Sequence, residues 1–419
     1  MSDELEKNRK LPQGWKLVPL INLLTSLETG SRPEGGAIGI TNGVPSLSAE
    51  HITRYGAFDF SSIRYVPNDF YERMPRGHIR QNDILIVKDG ATTGKAAFVD
   101  DTFPFSEAVV NEHVFLCRPN PYFVLPRYLF LWVWGSEGQS AVRMHYRGAA
   151  IGGINQNFAE SLLVPLPPLS EQKRIAAILN EQMEAVQKVR KATEAQLEAV
   201  KALPAAYLQK SFLPRGQELP IGWRWVRLGN MAELLPSKSI ASDGDSEVRA
   251  ITTASLTEVC FNPAGVKQAR MWSKDVALCT VTPGEVLIAR SNTPELVGRA
   301  AMFEGEPYGA VASDLTIRVR PNDGLDSAYL SRYLSSIFAR GYWKDAAGGA
   351  SGSMKKITRT HVAGLRLPLP PLSEQKRIAV ILNEQMKVVG KVRMALEAQL
   401  EHINALPASL LRRAFEGGL

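Results

Sequence analysis

The sequence predicts an α+β fold built twice, as two mixed α/β domains each followed by a long helix. Three observations predict it. Residues 165–183 read PLPPLSEQKRIAAILNEQM and residues 368–386 read PLPPLSEQKRIAVILNEQM, differing only at Ala177 against Val380. The stretches before these segments correspond loosely: 11–15 with 219–223 (Leu-Pro-x-Gly-Trp), 84–88 with 286–290, 94–97 with 298–301, and 118–120 with 320–322. Inside each half, short apolar or β-branched runs bounded by turn residues alternate with helical stretches, the mark of mixed α and β structure. Two copies 203 residues apart are too few and too long for a solenoid.

In the first half, residues 84–87 and 114–117 read as strands and 128–134 as a short helix; in the second, 286–289, 316–319 and 328–338 read likewise. Glycine-rich stretches at 148–153 and 348–352 precede each proline-rich junction. They read as loops, and loops on a rigid scaffold often carry binding. The near-identical segments read as long helices. Ser170 follows a double proline and is expected as the N-cap, with Glu171 in the first turn where the helix dipole favours a carboxylate. Apolar residues then recur at helical spacing: Ile175, Ile178, Leu179, Met183, Val186, Val189, Leu197, Val200 and Leu203 in the first copy. The second copy gives Ile378, Ile381, Leu382, Met386, Val389, Val392, Leu396, Leu400, Ile403 and Leu406. One apolar stripe with charged flanks is the pattern of a helix that pairs with another helix. The match persists to Phe212 and Phe415, and Pro204 and Pro407 are expected to kink or break each helix near its end. The expected division is therefore a domain over 1–164, a helix over 165–213, a domain over 214–367 and a helix over 368–419.

At 419 residues the chain has room for two to four domains. Hydrophobic residues at 45% and charged residues at 22% match globular averages, which excludes a disordered chain or a fibre. The 49 Lys+Arg against 42 Asp+Glu leave a net charge of +7, with a pI near 9.2. That permits a nucleic-acid partner without demonstrating one. Cys117, Cys260 and Cys279 are odd in number, far apart and free of Cys-x-x-Cys, which argues against a disulfide framework or a zinc site and fits a reducing cytosol. The N-terminal MSDELEKNRK lacks the apolar core of a signal peptide. The best candidate for a membrane span, residues 123–134, is short and carries Pro126 and Arg127. The expectation is a soluble, cytoplasmic protein with no membrane association.

Catalytic signatures are weak. Residues 88–95, Lys-Asp-Gly-Ala-Thr-Thr-Gly-Lys, resemble a phosphate loop, but three residues rather than four separate the glycines and Ala96 follows the lysine. The counterpart, 290–299, lacks the first glycine. What both copies keep is a pair of cations flanking a loop after a strand, which suits a nucleic-acid backbone better than a nucleotide. An amino-methyltransferase would need a polar residue before Pro-Pro-aromatic, whereas both Pro-Pro pairs here have leucine on either side. His51, His78, His113, His145, His361 and His402 form no metal-ligand spacing, and no nucleophile-elbow sequence is present. His113 corresponds to Leu315, so no histidine role is shared there. Glu112 and Asp314 correspond and read as strand-edge or capping residues before functional acceptors. No active site emerges.

The doubled PLPPLSEQKRIA-ILNEQM segment, behind two divergent units that open with Leu-Pro-x-Gly-Trp, resembles the DNA-specificity subunit of Type I restriction-modification systems over the whole chain. The resemblance implies two target-recognition domains, each reading one half of a bipartite, asymmetric site on double-stranded DNA. It implies that the two helices pack antiparallel in a coiled-coil-like spacer with pseudo-twofold symmetry, set the gap between half-sites, and dock two modification (methyltransferase) subunits. No cofactor is implied for this chain. S-adenosylmethionine, for adenine methylation, and ATP with Mg, for the restriction (motor-nuclease) subunits, belong to the partners. Residues 170–202 would span roughly 50 Å at ~1.5 Å per residue, against ~34–36 Å for one turn of duplex.

Basic and polar residues in corresponding loops are the candidate DNA contacts. Lys88 and Lys95 correspond to Arg290 and Arg299, and Arg32 lies near where Lys238 lies in the second half. Arg143, Tyr146, Arg147, Asn155 and Gln156 surround the first glycine loop, and Lys355, Lys356 and Arg359 follow the second. Arginine, asparagine and glutamine have the fork geometry for base edges, whereas lysine more often sits on phosphate. The residues expected to pack the spacer are Ile175, Leu179, Met183, Val186, Leu197 and Val200 with Ile378, Leu382, Met386, Val389, Leu400 and Ile403. The alternatives are a coiled-coil scaffold without DNA readout and a freestanding enzyme.

Overall fold

The computed structural model describes residues 11–148, 152–212, 218–348 and 354–419. The chain forms two compact units, one running up to Ala192 and including Leu400–Leu419, the other Thr193–Gln399. The first unit runs β1 (Lys16–Pro19), β2 (Leu24–Thr29), β3 (Val44–Leu47), β4 (Arg64–Val66), α1 (Asn68–Arg73), β5 (Ile84–Val87), β6 (Ala96–Phe98), β7 (Val109–Val110), β8 (Val114–Pro119), α2 (Pro126–Trp134), α3 (Ser136–Met144), α4 (Phe158–Ser161), β9 (Leu163–Leu166) and the start of α5 (Leu169–Ser211). The second takes the end of α5, then β10 (Arg224–Arg227), β11 (Ala232–Leu235), β12 (Ser246–Ile251), β13 (Val266–Met271), α6 (Ser273–Cys279), β14 (Val286–Ala289), β15 (Ser291–Asn292), β16 (Ala300–Met302), β17 (Val311–Ala312) and β18 (Thr316–Pro321). It continues with α7 (Ser327–Ala339), α8 (Tyr342–Ala346), β19 (Lys355–Lys356), α9 (Arg359–Ala363), β20 (Arg366–Leu369) and the start of α10 (Leu372–Phe415).

Both units use one plan. An antiparallel sheet in the order β2-β8-β5-β6 has its counterpart in β11-β18-β14-β16, and β4-β3-β7 has its counterpart in β13-β12-β17. In each three-stranded sheet the last pairing, β3 with β7 or β12 with β17, is parallel. The central strands explain why their sequences are unbroken apolar runs. Ile84 and Ile86 enter a core shared with α2 and α5, while Leu85 and Val87 enter a second core with Leu47, Ile52 and Val110. Val286 and Ile288 divide from Leu287 and Ala289 in the same way. Alternate side chains leave opposite faces of a strand, so a strand buried on both faces must be apolar throughout.

The near-identical segments owe much of their shared sequence to seating inside their own units. Gln172 is buried; its Oε1 accepts from the Leu125 N–H at 2.7 Å and its Nε2 donates to Pro167 O at 2.9 Å. Gln375 repeats this with the Asp326 N–H and Pro370 O, both at 2.9 Å. Asn180 accepts from Arg127 Nε, and Asn383 from Arg332 Nε, each at 2.7 Å. The Tyr128 hydroxyl donates to Pro165 O at 2.6 Å and the Tyr329 hydroxyl to Pro368 O at 2.5 Å. Removing a buried partner costs ~1–3 kcal/mol because the orphaned group stays desolvated. Gln172→Ala and Gln375→Ala are each expected to destabilise the chain by about that amount. The two losses should add, since they fall in different units. Urea unfolding of both single variants and the double variant checks this.

Two local expectations are corrected. Ser170 is not the N-cap: α5 begins at Leu169, with the Gln172 N–H already donating to Pro168 O at 3.0 Å, so Ser170 lies in the first turn. Nor do the prolines end the helices, because α5 continues past Pro204 to Ser211 and α10 past Pro407 to Phe415. An interior proline costs ~3 kcal/mol. The residues beyond it offset that cost by burial, at ~1.5–3 kcal/mol for each large apolar side chain. Leu208 and Phe212 join the second unit's core with Ile378, Leu382 and Met386; Leu411 and Phe415 join the first unit's core with Ile175, Leu179 and Met183. Phe415 meets Tyr128 edge-on with ring centroids 5.3 Å apart, and Phe212 lies 5.5 Å from Tyr329. Each unit is therefore completed by the end of the helix that starts in the other. Within the first unit, the start of α5 and the end of α10 run antiparallel: Ile175 shares a core with Phe415, while Met183 and Gln187 line a cavity with Pro407 and Ile403. Among the described residues, no helix is long and apolar enough to cross a membrane.

Candidate nucleic-acid interface

In the first unit β5 ends at Val87, and Lys88 follows with its amide donating to His113 O at 2.8 Å. Its ammonium reaches Glu112 O at 3.4 Å and lies 6.0 Å from the centre of the Phe115 ring. Glu112 sits in the turn before β8, and its Oε1 holds Arg32 Nε at 2.7 Å. Asn155 and Gln156 follow Ile154, whose N–H donates to Lys88 O at 2.8 Å. Arg147 exchanges backbone hydrogen bonds with Gly153, both at 2.9 Å. The glycines here are set by close approach. A Cβ on Gly152 would lie 2.3 Å from the Tyr146 ring, and one on Gly153 2.7 Å from Lys88 O. Arg32, Lys88, Tyr146, Arg147, Asn155 and Gln156 thus lie about one turn-and-loop cluster. Asn155 Oδ1 caps the Asn157 N–H at 3.0 Å, and Gln156 Nε2 donates to Leu27 O at 3.1 Å. Arg143 is exposed in the last turn of α3, where a cation complements the helix dipole. Lys95 is half-buried at the far end of the loop, next to Gly94, whose carbonyl accepts from Gln139 Nε2 at 2.7 Å. The glycine stretches lie partly outside the described residues, at 149–151 and 349–353.

The second unit repeats the frame with other side chains. The Arg290 amide donates to Leu315 O at 2.8 Å, its guanidinium reaches Asp314 O at 3.2 Å, and its carbonyl accepts from the Ile357 N–H at 2.9 Å. Lys238 O accepts from the Asp314 N–H at 3.1 Å. Lys355 and Lys356 form β19, paired with Asn292 and Ser291 of β15. Arg290, Lys238, Lys355 and Lys356 therefore meet at one edge. Arg359 is exposed at the start of α9, three residues on. Arg299 is engaged elsewhere, with Glu258 Oε1 at 3.2 Å and with its guanidinium 5.6 Å from the centre of the Phe338 ring.

Of the helix residues singled out by periodicity, Ile175, Leu179, Met183, Leu197, Ile378, Leu382, Met386, Val389 and Ile403 are buried, and Val186, Val200 and Leu400 half-buried. Val189, Ile381, Val392 and Leu406 are exposed.

One cluster had no sequence signal. His113 Nδ1 lies 2.7 Å from Asp89 Oδ1, and its Nε2 lies 3.5 Å from Glu112 Oε1. Asp89 and His113 are far apart in sequence, and only the pairing of β5 with β8 brings them together. The described residues contain no group of three or more His, Cys, Asp and Glu placed to hold a metal ion. What the two loop clusters offer is cations at strand ends, joined in the first unit by the amide side chains of Asn155 and Gln156, groups of the kinds that contact phosphates and base edges.

The profile of the family described as Type I restriction modification DNA specificity domain matches residues 38–199 and again 220–401. The chain belongs to this family. Its two specificity domains account for the doubled plan and leave a scaffold role without DNA readout unsupported. Curated relatives cover nearly the whole chain. The Type I restriction enzyme StySPI specificity subunit of Salmonella potsdam is 24% identical, with 98% of this chain and 90% of the relative aligned. The EcoKI specificity subunit of Escherichia coli K12 is 22% identical over the same shares. Among solved structures, one from work on complex assembly and conformational transition of the type I R-M system superposes with a TM-score of 0.75 at 22% identity, covering 98% of this chain and all of that one. The HsdS subunit from Thermoanaerobacter tengcongensis gives 0.58 at 22% identity, covering 99% and 100%. These structures share the fold.

Proposed function

We propose that this specificity-domain chain is the DNA-recognition subunit of a Type I restriction-modification complex. Each unit reads one half of a bipartite, asymmetric site on double-stranded DNA, and the long helices set the gap and dock two modification subunits. The observation that carries this is the double match to the DNA specificity domain, on two units that share one scaffold and differ in their loop side chains. A shared frame with different side chains is what reading two different half-sites requires, because bases are specified by side chains and not by the frame. The chain itself is non-catalytic in this reading. S-adenosylmethionine serves adenine methylation on the modification subunits, and ATP with Mg serves the restriction subunits.

Two experiments test this. The purified chain is expected neither to methylate nor to cut DNA, with methylation appearing once modification subunits are added; methyl transfer by the chain alone contradicts the reading. In this reading the matched cations Lys88 and Arg290, each following a central strand, contact phosphate. Lys88→Ala or Arg290→Ala should weaken binding, reduce the salt slope by ~1 and leave base preference intact. Binding measured across a salt series gives the slope; no change in either variant places these groups off the DNA.

A further inference from the structure

The two loop clusters keep the same backbone frame at one turn and present different side chains from it. In the first unit the Asn111 Oδ1 accepts from the His113 N–H at 3.0 Å, and His113 O accepts from the Lys88 amide at 2.8 Å. In the second, the Ser313 Oγ accepts from the Leu315 N–H at 3.3 Å, and Leu315 O accepts from the Arg290 amide at 2.8 Å. The cation that follows the neighbouring strand, Lys88 after β5 or Arg290 after β14, reaches the same carbonyl, Glu112 O or Asp314 O. Every anchor is retained while the outward side chain changes from imidazole to isobutyl. Both side chains are accessible, His113 at 41% and Leu315 at 47%.

The two side chains differ in what surrounds them. Leu315 is a large apolar group left in water beside Arg290, whose amide donates to its carbonyl, and removing its surface from water would be favourable. A thymine C5-methyl in the major groove offers such a surface. His113 is instead braced between Asp89 and Glu112, and a braced side chain loses less rotamer freedom when it binds. Asp89 holds Nδ1 at 2.7 Å, whereas Nε2 has only the longer 3.5 Å approach of Glu112 Oε1, an oxygen already held by Arg32 Nε at 2.7 Å, so Nε2 is the nitrogen left to hydrogen-bond a base edge. Were Lys88 and Arg290 to contact phosphate, the same turns would carry His113 and Leu315 toward a groove.

We infer that this turn is the specificity-determining position of each unit: His113 reads a base edge by hydrogen bonding in one half-site, and Leu315 makes an apolar base contact in the other. The inference rests on the DNA-recognition reading above. The test is selection of bound duplexes from a randomised pool by the full-length chain assembled with its modification subunits. His113→Leu is expected to change the preferred base at one or two positions of one half-site by ~10-fold, leaving the other half-site as in the wild type. Leu315→His should do the reciprocal. The milder His113→Gln and Leu315→Ala serve if the exchanges fail to assemble: the first should keep part of the preference and the second should lose it. Unchanged preference in variants that still bind, or a uniform loss of affinity with the same bases preferred, overturns the inference while the wild type's own selectivity upholds the parent reading. A wild-type complex that selects no sequence overturns both.

Discussion

Arg318→Met is expected to destabilise the second unit by about 3–5 kcal/mol, the cost of breaking a buried ion pair from one side. Arg318 and Glu285 are almost fully buried, with side chains 3% and 1% exposed, and Arg318 Nε meets Glu285 Oε2 at 2.8 Å. The rest of the guanidinium donates to Glu285 Oε1, Leu278 O, Thr280 O and Pro236 O, so its loss strands carbonyls as well as a carboxylate. Burial pushes the Glu285 carboxyl up, but hydrogen bonds from Arg318 and Thr282 with the nearby guanidinium charges outweigh it and leave the group below its usual range. A depressed carboxyl contributes stability that is present above its unfolded pKa and lost as pH falls through its folded one. The wild-type second unit should therefore lose stability on acidification below the ordinary glutamate range, and the variant should lose less there because the contribution is already gone. Hydrogen exchange gives an internal control: protection should fall in β14 and β18 and stay unchanged in β5 and β8. Equal loss in both units, or none, contradicts the assignment.

This buried pair also shows how far the sequence could be read. Asp83 aligns with Glu285 and Arg118 with Arg320, and Arg118 does bind Asp83, at 2.8 Å. In the second unit the deeply buried partner is Arg318, which aligns with Leu116; Arg320 reaches Glu285 at 2.9 Å but stays 46% exposed. The role moved two residues along a strand, which preserves the face but not the alignment. Strands 84–87 and 286–289 were legible because burial on both faces leaves a continuous apolar run. The long helices were legible from period and repetition. The exchange of helix ends was not, since matching Phe212 with Phe415 says that they share a role but not which unit each fills. The engagement of Arg299 by Glu258 and Phe338, and the Asp89–His113 pair, depend on tertiary pairing that spacing does not encode.

Two independent readers that share one frame should be exchangeable one at a time. Exchanging residues 12–164 for the corresponding unit of a relative should replace one half-site completely and leave the other half-site and the gap as they were. The segments that seat each unit, with Gln172 and Asn180 in one copy and Gln375 and Asn383 in the other, remain in place. A matched insertion of four residues in both α5 and α10, near 192 and 400, should act oppositely. It adds ~6 Å at ~1.5 Å per residue, or one to two base pairs at ~3.4 Å each, and should change the gap but no recognised base. The insertion belongs in both helices because each unit holds the start of one and the end of the other. Methylome mapping of the exchange variant, in a host that supplies the modification subunits and lacks other such systems, is the most direct measurement. One new half-site beside one unchanged half-site at the original spacing is expected; a change in both half-sites would mean that the two units do not read independently.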